Sequence, residues 1–386
     1  MARIRVPLTS FDFGEVSPSL TSRTDAAVYT HAAARIRNFF IKSEGGVEKR
    51  SGTRNWYTFN NTYSASAEDL QVRIEPFIFS DDERYIVAFS AAEIDVFILD
   101  PSNSFNPKHI QNITQDTAGT ALPFTQARVI EIQYAQQADV MFLCHQLNPI
   151  LKLVRTGLET FQVEPFEFET STDGNLIHQP YFNFQNNGVT LASNATTGNG
   201  ATLTASASYF VAGHVGIKLR MHGADLTITA VTNGTTATAN ISGTIRQQLD
   251  INALETVSGS DRVLVTHALH GLAPNASITI DRASGIGGLS SGNINGSRTV
   301  AAVINENVYE ITAAASATTT AVGGGSPRIA TGAATTQWEE QSYSSLRGYP
   351  SCVTFHEGRL WFAGSLGQPS NIWASRSNNY FNFNLG

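Results

Sequence analysis

Short runs in which apolar and polar residues alternate follow one another along much of the chain. Alternation with a period of two is the pattern of a strand buried on one side. Strand starts that recur every 8–12 residues or so, with turns rich in Asp, Asn, Pro and Gly, are typical of propellers, sandwiches and barrels. The pattern therefore predicts an all-β fold. Before residue 186 the runs after the N-terminal region are 73–79, 85–89, 94–99, 129–134, 139–145 and 150–155.

A different pattern near the N-terminus predicts one helix. Ser22 or Thr24 provides a capping side chain, and Asp25 lies in the first turn. Apolar residues then recur at roughly helical spacing up to Ile36. Residues 39–42 and 47–52 flank the turn Glu44-Gly45-Gly46, which predicts a β-hairpin.

The residue types change at about residue 186 and change back at about residue 336. Between 190 and 335 the aromatic residues are Tyr209, Phe210 and Tyr309, and Ala, Thr, Ser, Gly and Asn dominate. Alternating stretches persist there, so this segment is also predicted to be β. We expect one domain interrupted by an insertion of two small β modules. The predicted ranges are 1–185 and 340–386 for a partial propeller-like domain, with 186–250 and 251–339 as the inserted modules. Because the pattern stops without a closing strand, we expect the propeller-like domain to be completed by further sequence or by another chain.

The charge of the chain excludes an ordinary nucleic-acid-binding protein. Only 15% of the residues are charged, against about 25% in typical proteins. The net charge is −7, and no stripe of Lys and Arg follows the sequence as a DNA-gripping groove requires. A low charged fraction suits surfaces that become buried in an assembly.

No segment of the sequence predicts membrane insertion or secretion. No run approaches the roughly 18 apolar residues of a transmembrane helix. Met1–Pro7 lacks the apolar region of a signal peptide, so synthesis in a cytoplasm is expected. Cys144 and Cys352 each lie in an apolar run and are predicted to be buried thiols.

Four groups of residues have side chains suited to chemistry, but none predicts a catalytic, metal or cofactor site. His267 and His270 are predicted to be hydrogen-bonded turn residues, with metal binding as the alternative. Residues 81–83 form an acidic turn, and residues 285–288 form a glycine turn without a phosphate-binding lysine. The triplet Trp338-Glu339-Glu340 combines an aromatic ring with acids, as sugar sites do, but it also lies at a predicted domain boundary.

Two blocks of sequence carry a resemblance to a known family. The first is Phe13-Gly14-Glu15-Val16-Ser17-Pro18, followed by Arg23-Thr24-Asp25 and by 44–53, Glu-Gly-Gly-Val-Glu-Lys-Arg-Ser-Gly-Thr. The second is 348–364, from Gly348-Tyr349-Pro350 through Gly358-Arg359-Leu360 to Gly364. Together they resemble tail tubular protein B, the nozzle protein of short-tailed bacteriophages. Ser51 stands where this family usually has proline.

The resemblance implies a structural protein of the virion tail, made in the host cytoplasm. The expected assembly is a six-subunit ring that extends the DNA channel below the portal, retains packaged DNA and conducts it during ejection. The expected partners are the tail adaptor protein, tail fibres or spikes, and double-stranded DNA that passes without sequence-specific binding. The resemblance implies no enzyme activity and no cofactor. Its motifs give these structural or assembly candidates: Gly14, Glu15, Ser17, Pro18, Arg23, Asp25, Gly45, Gly46, Arg50, Gly52, Pro350, Arg359, Leu360 and Gly364.

Two alternatives remain open at this point. A receptor-binding or polysaccharide-degrading tail protein would need a cleft with aromatic and acidic residues, for which Trp338, Glu339 and Glu340 are the candidates. A free cytoplasmic enzyme with a propeller fold would be a soluble monomer that is absent from virions. The arginines of the family-like motifs, Arg23, Arg50 and Arg359, are expected to stack on aromatics or bind carboxylates rather than bind a ligand.

Overall fold

The computed structural model describes residues 9–59, 71–100, 106–185 and 188–384. The chain divides into two compact units, Met1–Thr62 and Tyr63–Gly386. The predicted first range, 1–185, therefore contains a separate N-terminal unit in addition to sheets of the larger unit.

Residues 9–59 of the N-terminal unit form two 3-10 helices and one hairpin. The predicted helix is present there as the five-residue 3-10 helix Ala27–His31. Its length is limited because the next residues are extended: the N–H of Ala33 donates to the Gly14 carbonyl at 2.9 Å, and Ala33 pairs in parallel with Glu15. The other elements are the 3-10 helix Pro18–Leu20 and the strands β1 (Phe39–Ile41) and β2 (Val47–Lys49), which pair antiparallel.

The larger unit begins with two antiparallel sheets in which neighbouring strands are consecutive. A helical turn, α1 (Gln126–Val129), separates them, so the predicted strand 129–134 starts as helix and turn. The first sheet consists of β3 (Arg73–Ile78), β4 (Arg84–Ser90), β5 (Glu93–Asp100) and β6 (Asn106–Ile113). The second consists of β7 (Gln133–Gln137), β8 (Val140–His145), β9 (Asn148–Gly157) and β10 (Thr160–Pro165).

A third sheet of the same type ends the described chain and packs on the second. It consists of β26 (Cys352–His356), β27 (Arg359–Ala363) and β28 (Ile372–Ala374). Alternate residues of the second sheet point to opposite faces. One face, including Leu143 and Leu153, packs with the first sheet, whereas the other, including Phe142, packs with Leu360 and Phe362 of the third sheet. Three sheets stacked face to face resemble successive blades of a propeller.

The segment between the second and third sheets forms two larger sheets, each with its own apolar core. The seven-stranded sheet consists of β11 (Tyr181–Phe182), β12 (Leu191–Ser193), β13 (Gly198–Ala205), β14 (Lys218–Met221), β15 (Ala224–Asn233), β16 (Thr236–Ser242) and β25 (Trp338–Gln341). A 3-10 helix, Ala212–His214, precedes β14.

The eight-stranded sheet contains all the strands between residues 246 and 330. They are β17 (Arg246–Gln248), β18 (Leu254–Thr256), β19 (Arg262–Thr266), β20 (Ser277–Asp281), β21 (Gly296–Asn305), β22 (Val308–Thr312), β23 (Ala321–Gly323) and β24 (Arg328–Ala330). A helical turn, α2 (Ser291–Ile294), precedes β21. The change from one sheet to the next thus falls between β16 and β17, slightly before the predicted boundary at 250.

The all-β fold class is confirmed, since sheets account for nearly all the regular structure of the described residues. Within those same residues, no helix has the length and apolar character needed to cross a membrane.

Candidate functional site

The candidates around residue 14 build the turns of the N-terminal unit. Gly14 is buried and has a φ of 74°. The Glu15 carboxylate accepts a hydrogen bond at 3.0 Å from the N–H of Ile36. The carbonyl of Ser17 accepts the N–H of Leu20, and Pro18 is the first residue of the 3-10 helix. These four residues therefore have structural contacts within the unit.

Arg23 and Asp25 form an ion pair on the surface of this unit. Nε and Nη2 of Arg23 donate to the two carboxylate oxygens of Asp25, each at 2.9 Å. The Arg23 hydrogen bond lowers the pKa of Asp25. Both side chains are more than 60% exposed, so solvent screens the pair and it contributes little to stability.

The glycine hairpin contains the next four candidates. Gly45 has a φ of 85°, and a Cβ there would lie 2.1 Å from Ser10 Oγ, so the position requires glycine. The carbonyl of Gly46 accepts the Lys42 N–H, and the N–H of Arg50 donates to the Asn38 carbonyl at 2.8 Å. A Cβ at Gly46 or Gly52 would have no atom within 4 Å. The hairpin thus explains Gly45, while Gly46 and Gly52 lie in open surroundings.

The four candidates in the third sheet are divided between its core and its surface. Pro350 is buried, Leu360 is fully buried in the core, and Gly364 has a φ of 61°. Arg359 is exposed, and its Nη1 donates to the Ser375 carbonyl at 2.9 Å. Among the described residues no carboxylate lies within ion-pair distance of Arg359. It lines a groove instead.

This groove, called the polar groove below, consists of four adjoining cavities in the larger unit. Their volumes are about 360, 440, 350 and 610 Å³. Arg359 is shared by the first and second cavities, Arg220 and Glu339 by the second and third, and His222 and Gln337 by the third and fourth. The groove therefore runs from the third sheet past β14 and β25 to the eight-stranded sheet.

Aromatic side chains line the second cavity of the groove. Trp361 of β27 is half-buried, and its Nε1 donates to the His356 carbonyl at 3.1 Å. Trp373 of β28 lines the same cavity, and its ring also packs edge-to-face on Tyr343 at 4.9 Å. The Tyr181 ring is covered by the Arg220 guanidinium, whose central carbon lies 4.0 Å from the ring centroid.

Two arginines in the groove are neutralised by aspartates. Arg220 binds both carboxylate oxygens of Asp225, at 2.8 and 3.1 Å. Nη1 of Arg246 lies 2.8 Å from Asp281 Oδ2. Burial, reinforced by the Asp225 charge, raises the pKa of Tyr181, so its phenol stays protonated.

The triplet Trp338-Glu339-Glu340 is split by the alternation of β25. Trp338 is 2% exposed and donates its Nε1 hydrogen to the Val189 carbonyl at 3.0 Å, while Glu340 is fully buried. Glu339 lies on the opposite face, pairs in register with Arg220 and lines the groove. The three residues therefore do not act as one site.

Glu340 is committed to a buried network that joins three parts of the chain. Arg347 donates to its two oxygens at 2.8 and 2.7 Å, the Tyr209 hydroxyl donates to Oε2, and His214 Nε2 lies 3.4 Å from Oε2. Burial opposes ionisation of Glu340, but the contacts with His214, Arg347 and Tyr209 outweigh it and hold its pKa at about 2. An acid with this pKa stays ionised near neutral pH and cannot donate a proton in catalysis.

Histidines 267 and 270 have hydrogen-bond partners in the turn after β19. His267 Nε2 lies 2.6 Å from Gln247 Oε1, and His270 Nε2 lies 2.9 Å from the Asn305 carbonyl. The N–H of Leu272 donates to His270 Nδ1. Within the described parts of the chain, no group of three or more His, Cys, Asp or Glu side chains is placed to hold a metal ion.

The acidic turn 81–83 contains a residue that forms an ion pair. Glu83 pairs with Arg155, which also contacts Asp139 at 2.9 Å.

Cys144 is buried as predicted, but Cys352 is exposed. The prediction for Cys352 was wrong because β26 alternates: Cys352 lies on its exposed face, whereas Val353 and Phe355 on the other face pack against the core.

Sequence reasoning missed the polar groove because its arginines lie far apart in the chain. Arg220 and Glu339 are separated by more than a hundred residues and meet only through the pairing of β14 with β25. The alternation of β25 was the available signal, since it places Glu339 and Glu340 on opposite faces.

Comparisons with known proteins do not assign a family. No family model and no curated protein matches the chain. Among solved structures, the phage phi92 endosialidase is 13% identical, with 64% of this chain and 45% of that chain covered and a TM-score of 0.21. An exo-β-1,3-galactanase from Phanerochaete chrysosporium with galactose is 8% identical, with 70% and 69% covered and a TM-score of 0.18. The chain thus spans less than half of the endosialidase chain. Similarities this low carry no argument about function.

Proposed function

We propose that this chain is a structural subunit of a short-tailed phage tail. Copies of it assemble into the nozzle ring, which extends the DNA channel below the portal and adaptor. The ring retains packaged DNA and conducts it during ejection. The observation that carries this proposal is the N-terminal unit, which folds compactly while leaving its apolar side chains uncovered.

Several large apolar side chains of the N-terminal unit are exposed. Phe40 is 63% exposed, Phe13 58% and Phe39 47%. Ala32 is the one apolar residue counted as buried among residues 9–59. A unit with almost no core gains little from apolar burial on folding, and large exposed apolar patches mark interaction surfaces. This surface is therefore suited to contact other subunits.

Two further features support assembly into a ring. The motifs that resemble tail tubular protein B include the turns and the hairpin of this same unit. Identical subunits that pack head to tail generate a ring when the rotation closes. In this proposal the hairpin strands β1 and β2 contribute to the contact between subunits, since every residue in both strands is exposed.

The assembly role is tested by native mass spectrometry of the full chain and two matched variants. Phe40→Asp places a charge on the apolar surface of the N-terminal unit. Val322→Asp places the same charge at a position in the eight-stranded sheet that is 68% exposed. We expect a closed oligomer for the unmodified chain and V322D, and a monomer for F40D. A monomeric unmodified chain at assembly concentrations, or an intact oligomer in F40D, would contradict the proposal.

A polysaccharide-degrading tail protein is the second candidate, and the groove is the observation that favours it. Glycoside hydrolysis usually requires a pair of carboxyl groups on either side of the scissile bond. Glu340 is buried and ion-paired, which leaves Glu339 as the carboxylate of the second and third cavities. Release of reducing sugars from host capsule that is lost in Glu339→Gln and kept in Gln341→Glu would establish this candidate. We expect no release from the unmodified chain.

A further inference from the structure

The geometry points to a second role for this chain, beyond ring assembly: the polar groove binds an acidic polysaccharide of the host surface without cleaving it. The proposed ligand is a chain of sugars that carry carboxylate groups. It lies along the four cavities from Arg376 to Arg246.

Arginines outnumber carboxylates along the groove, although the whole chain is acidic. The chain carries a net charge of −7, yet two carboxylates, Glu339 and Asp173, line the four cavities, together with five arginines. Asp225 and Asp281 neutralise two of the arginines. Within the described parts of the chain, the remaining three have no carboxylate within ion-pair distance. They are Arg328, Arg359 and Arg376.

These three guanidinium groups are held in place while part of each remains available. Arg359 donates to the Ser375 carbonyl and Arg376 to the Asn384 carbonyl at 3.0 Å. Arg328 contacts Gln248 at 3.4 Å. Because a guanidinium has five N–H donors, each arginine keeps donors that can bind a carboxylate. They line both ends of the groove, which suits a ligand with charges at intervals.

The middle of the groove provides contacts of the kind that sugar rings use. The electron-rich faces of Trp361 and Trp373 can pack on the C–H groups of a pyranose ring. Asn183 and Gln337 line the adjoining cavity and offer amide groups to hydroxyls.

The carboxylates of the groove favour binding over hydrolysis. Glu339 is the carboxylate of the two central cavities, and Arg220 lies beside it. Asp173 lines the fourth cavity, where hydrogen bonds from Ser171 and Asn175 hold its pKa at about 2. The ionised Asp173 does not supply the protonated acid that glycoside cleavage requires, and it lines a different cavity from Glu339.

The test is a titration of the full chain with hexagalacturonic acid, in which binding is measured by tryptophan fluorescence and by calorimetry. Its methyl ester, which has the same sugars without the charges, and a twelve-residue oligothymidylate serve as comparison ligands. Arg359→Ala and Trp361→Ala probe the groove. Arg262→Ala is the matched control, because this arginine is 46% exposed in the eight-stranded sheet outside the groove.

The proposal predicts saturable binding of hexagalacturonate with no shortening of the oligosaccharide. Binding should weaken at least tenfold with the methyl ester and in R359A and W361A, and less than twofold in R262A. Unchanged melting temperatures would show that the variants fold. Absence of binding, equal binding by R359A, or tighter binding of oligothymidylate would overturn the proposal. Because binding is measured per chain, its failure is distinguishable from failure of ring assembly.

Discussion

The N-terminal unit and the first two sheets of the larger unit use similar residues with opposite results. Both contain many aromatic residues, but Phe77 and Phe89 are fully buried between the sheets, whereas Phe13 and Phe40 are more than half exposed. The sheets obtain their stability from their own core. The N-terminal unit is arranged by backbone hydrogen bonds and glycine turns, and its large apolar side chains are exposed. Aromatic content alone therefore does not show whether a segment builds an apolar core of its own.

The largest loss of stability is expected from a substitution in the core between the first two sheets. Phe89→Ala removes a ring that is fully buried and packs edge-to-face on Phe124 at 6.2 Å. We expect the free energy of unfolding to fall by about 3–5 kcal/mol, as for other large-to-small core substitutions. Urea unfolding followed by tryptophan fluorescence measures it, and a loss below about 1 kcal/mol would refute the buried-core description.

The second-largest loss of stability is expected from a substitution in the buried network around Glu340. This network joins the seven-stranded sheet to the loop before the third sheet. Glu340→Gln keeps the size of the side chain but removes the charge that faces Arg347 at 2.7 Å. Removing one partner of a buried ion pair typically costs about 3 kcal/mol or more. Equilibrium unfolding should show this loss. The neighbouring Glu339→Gln, on the exposed face of β25, is the control and should change stability by less than about 0.5 kcal/mol.

A smaller loss of stability is expected at acid pH, where His267, which follows β19 of the eight-stranded sheet, becomes protonated. Burial, assisted by His270 and His222, lowers the pKa of His267 from 6.5 to about 4. The unfolded chain therefore binds more protons than the folded chain between these pH values. The free energy of unfolding falls as pH drops through this window, by about 2–3 kcal/mol.

His267→Gln should flatten this part of the stability profile while keeping a side-chain donor for Gln247. The contribution of Glu340 lies in a separate window, because its folded pKa is about 2 against an ordinary value of 4.5. That contribution is present above the ordinary value and is lost as pH falls toward 2. An unchanged slope between pH 6.5 and 4 in H267Q would refute the assignment.

The smallest expected effect is on the surface of the N-terminal unit. Phe40→Ala removes an exposed ring, so we expect a change below about 0.5 kcal/mol in the unfolding free energy of the dissociated chain. Denaturant unfolding at a concentration below that of assembly measures it. A loss comparable to that of F89A would mean that Phe40 contributes to an internal core.

Local alternation predicted the fold class and several strands, but it missed β6 and β10. The predicted strands 85–89 and 94–99 correspond to β4 and β5, and the predicted hairpin corresponds to β1 and β2. The helix predicted from a cap at Ser22 or Thr24 up to Ile36 is short because Ala33 pairs with Glu15, an interaction that local spacing does not reveal. The groove was not predictable for the same physical reason, since strand pairing brings its arginines together.

The most direct test of the assembly account is the number of copies of this chain in gradient-purified virions, measured by quantitative peptide mass spectrometry. The account predicts about six copies per particle, as a closed cyclic ring allows. Absence of the chain from the particle, or a copy number far above that of one ring, would contradict it.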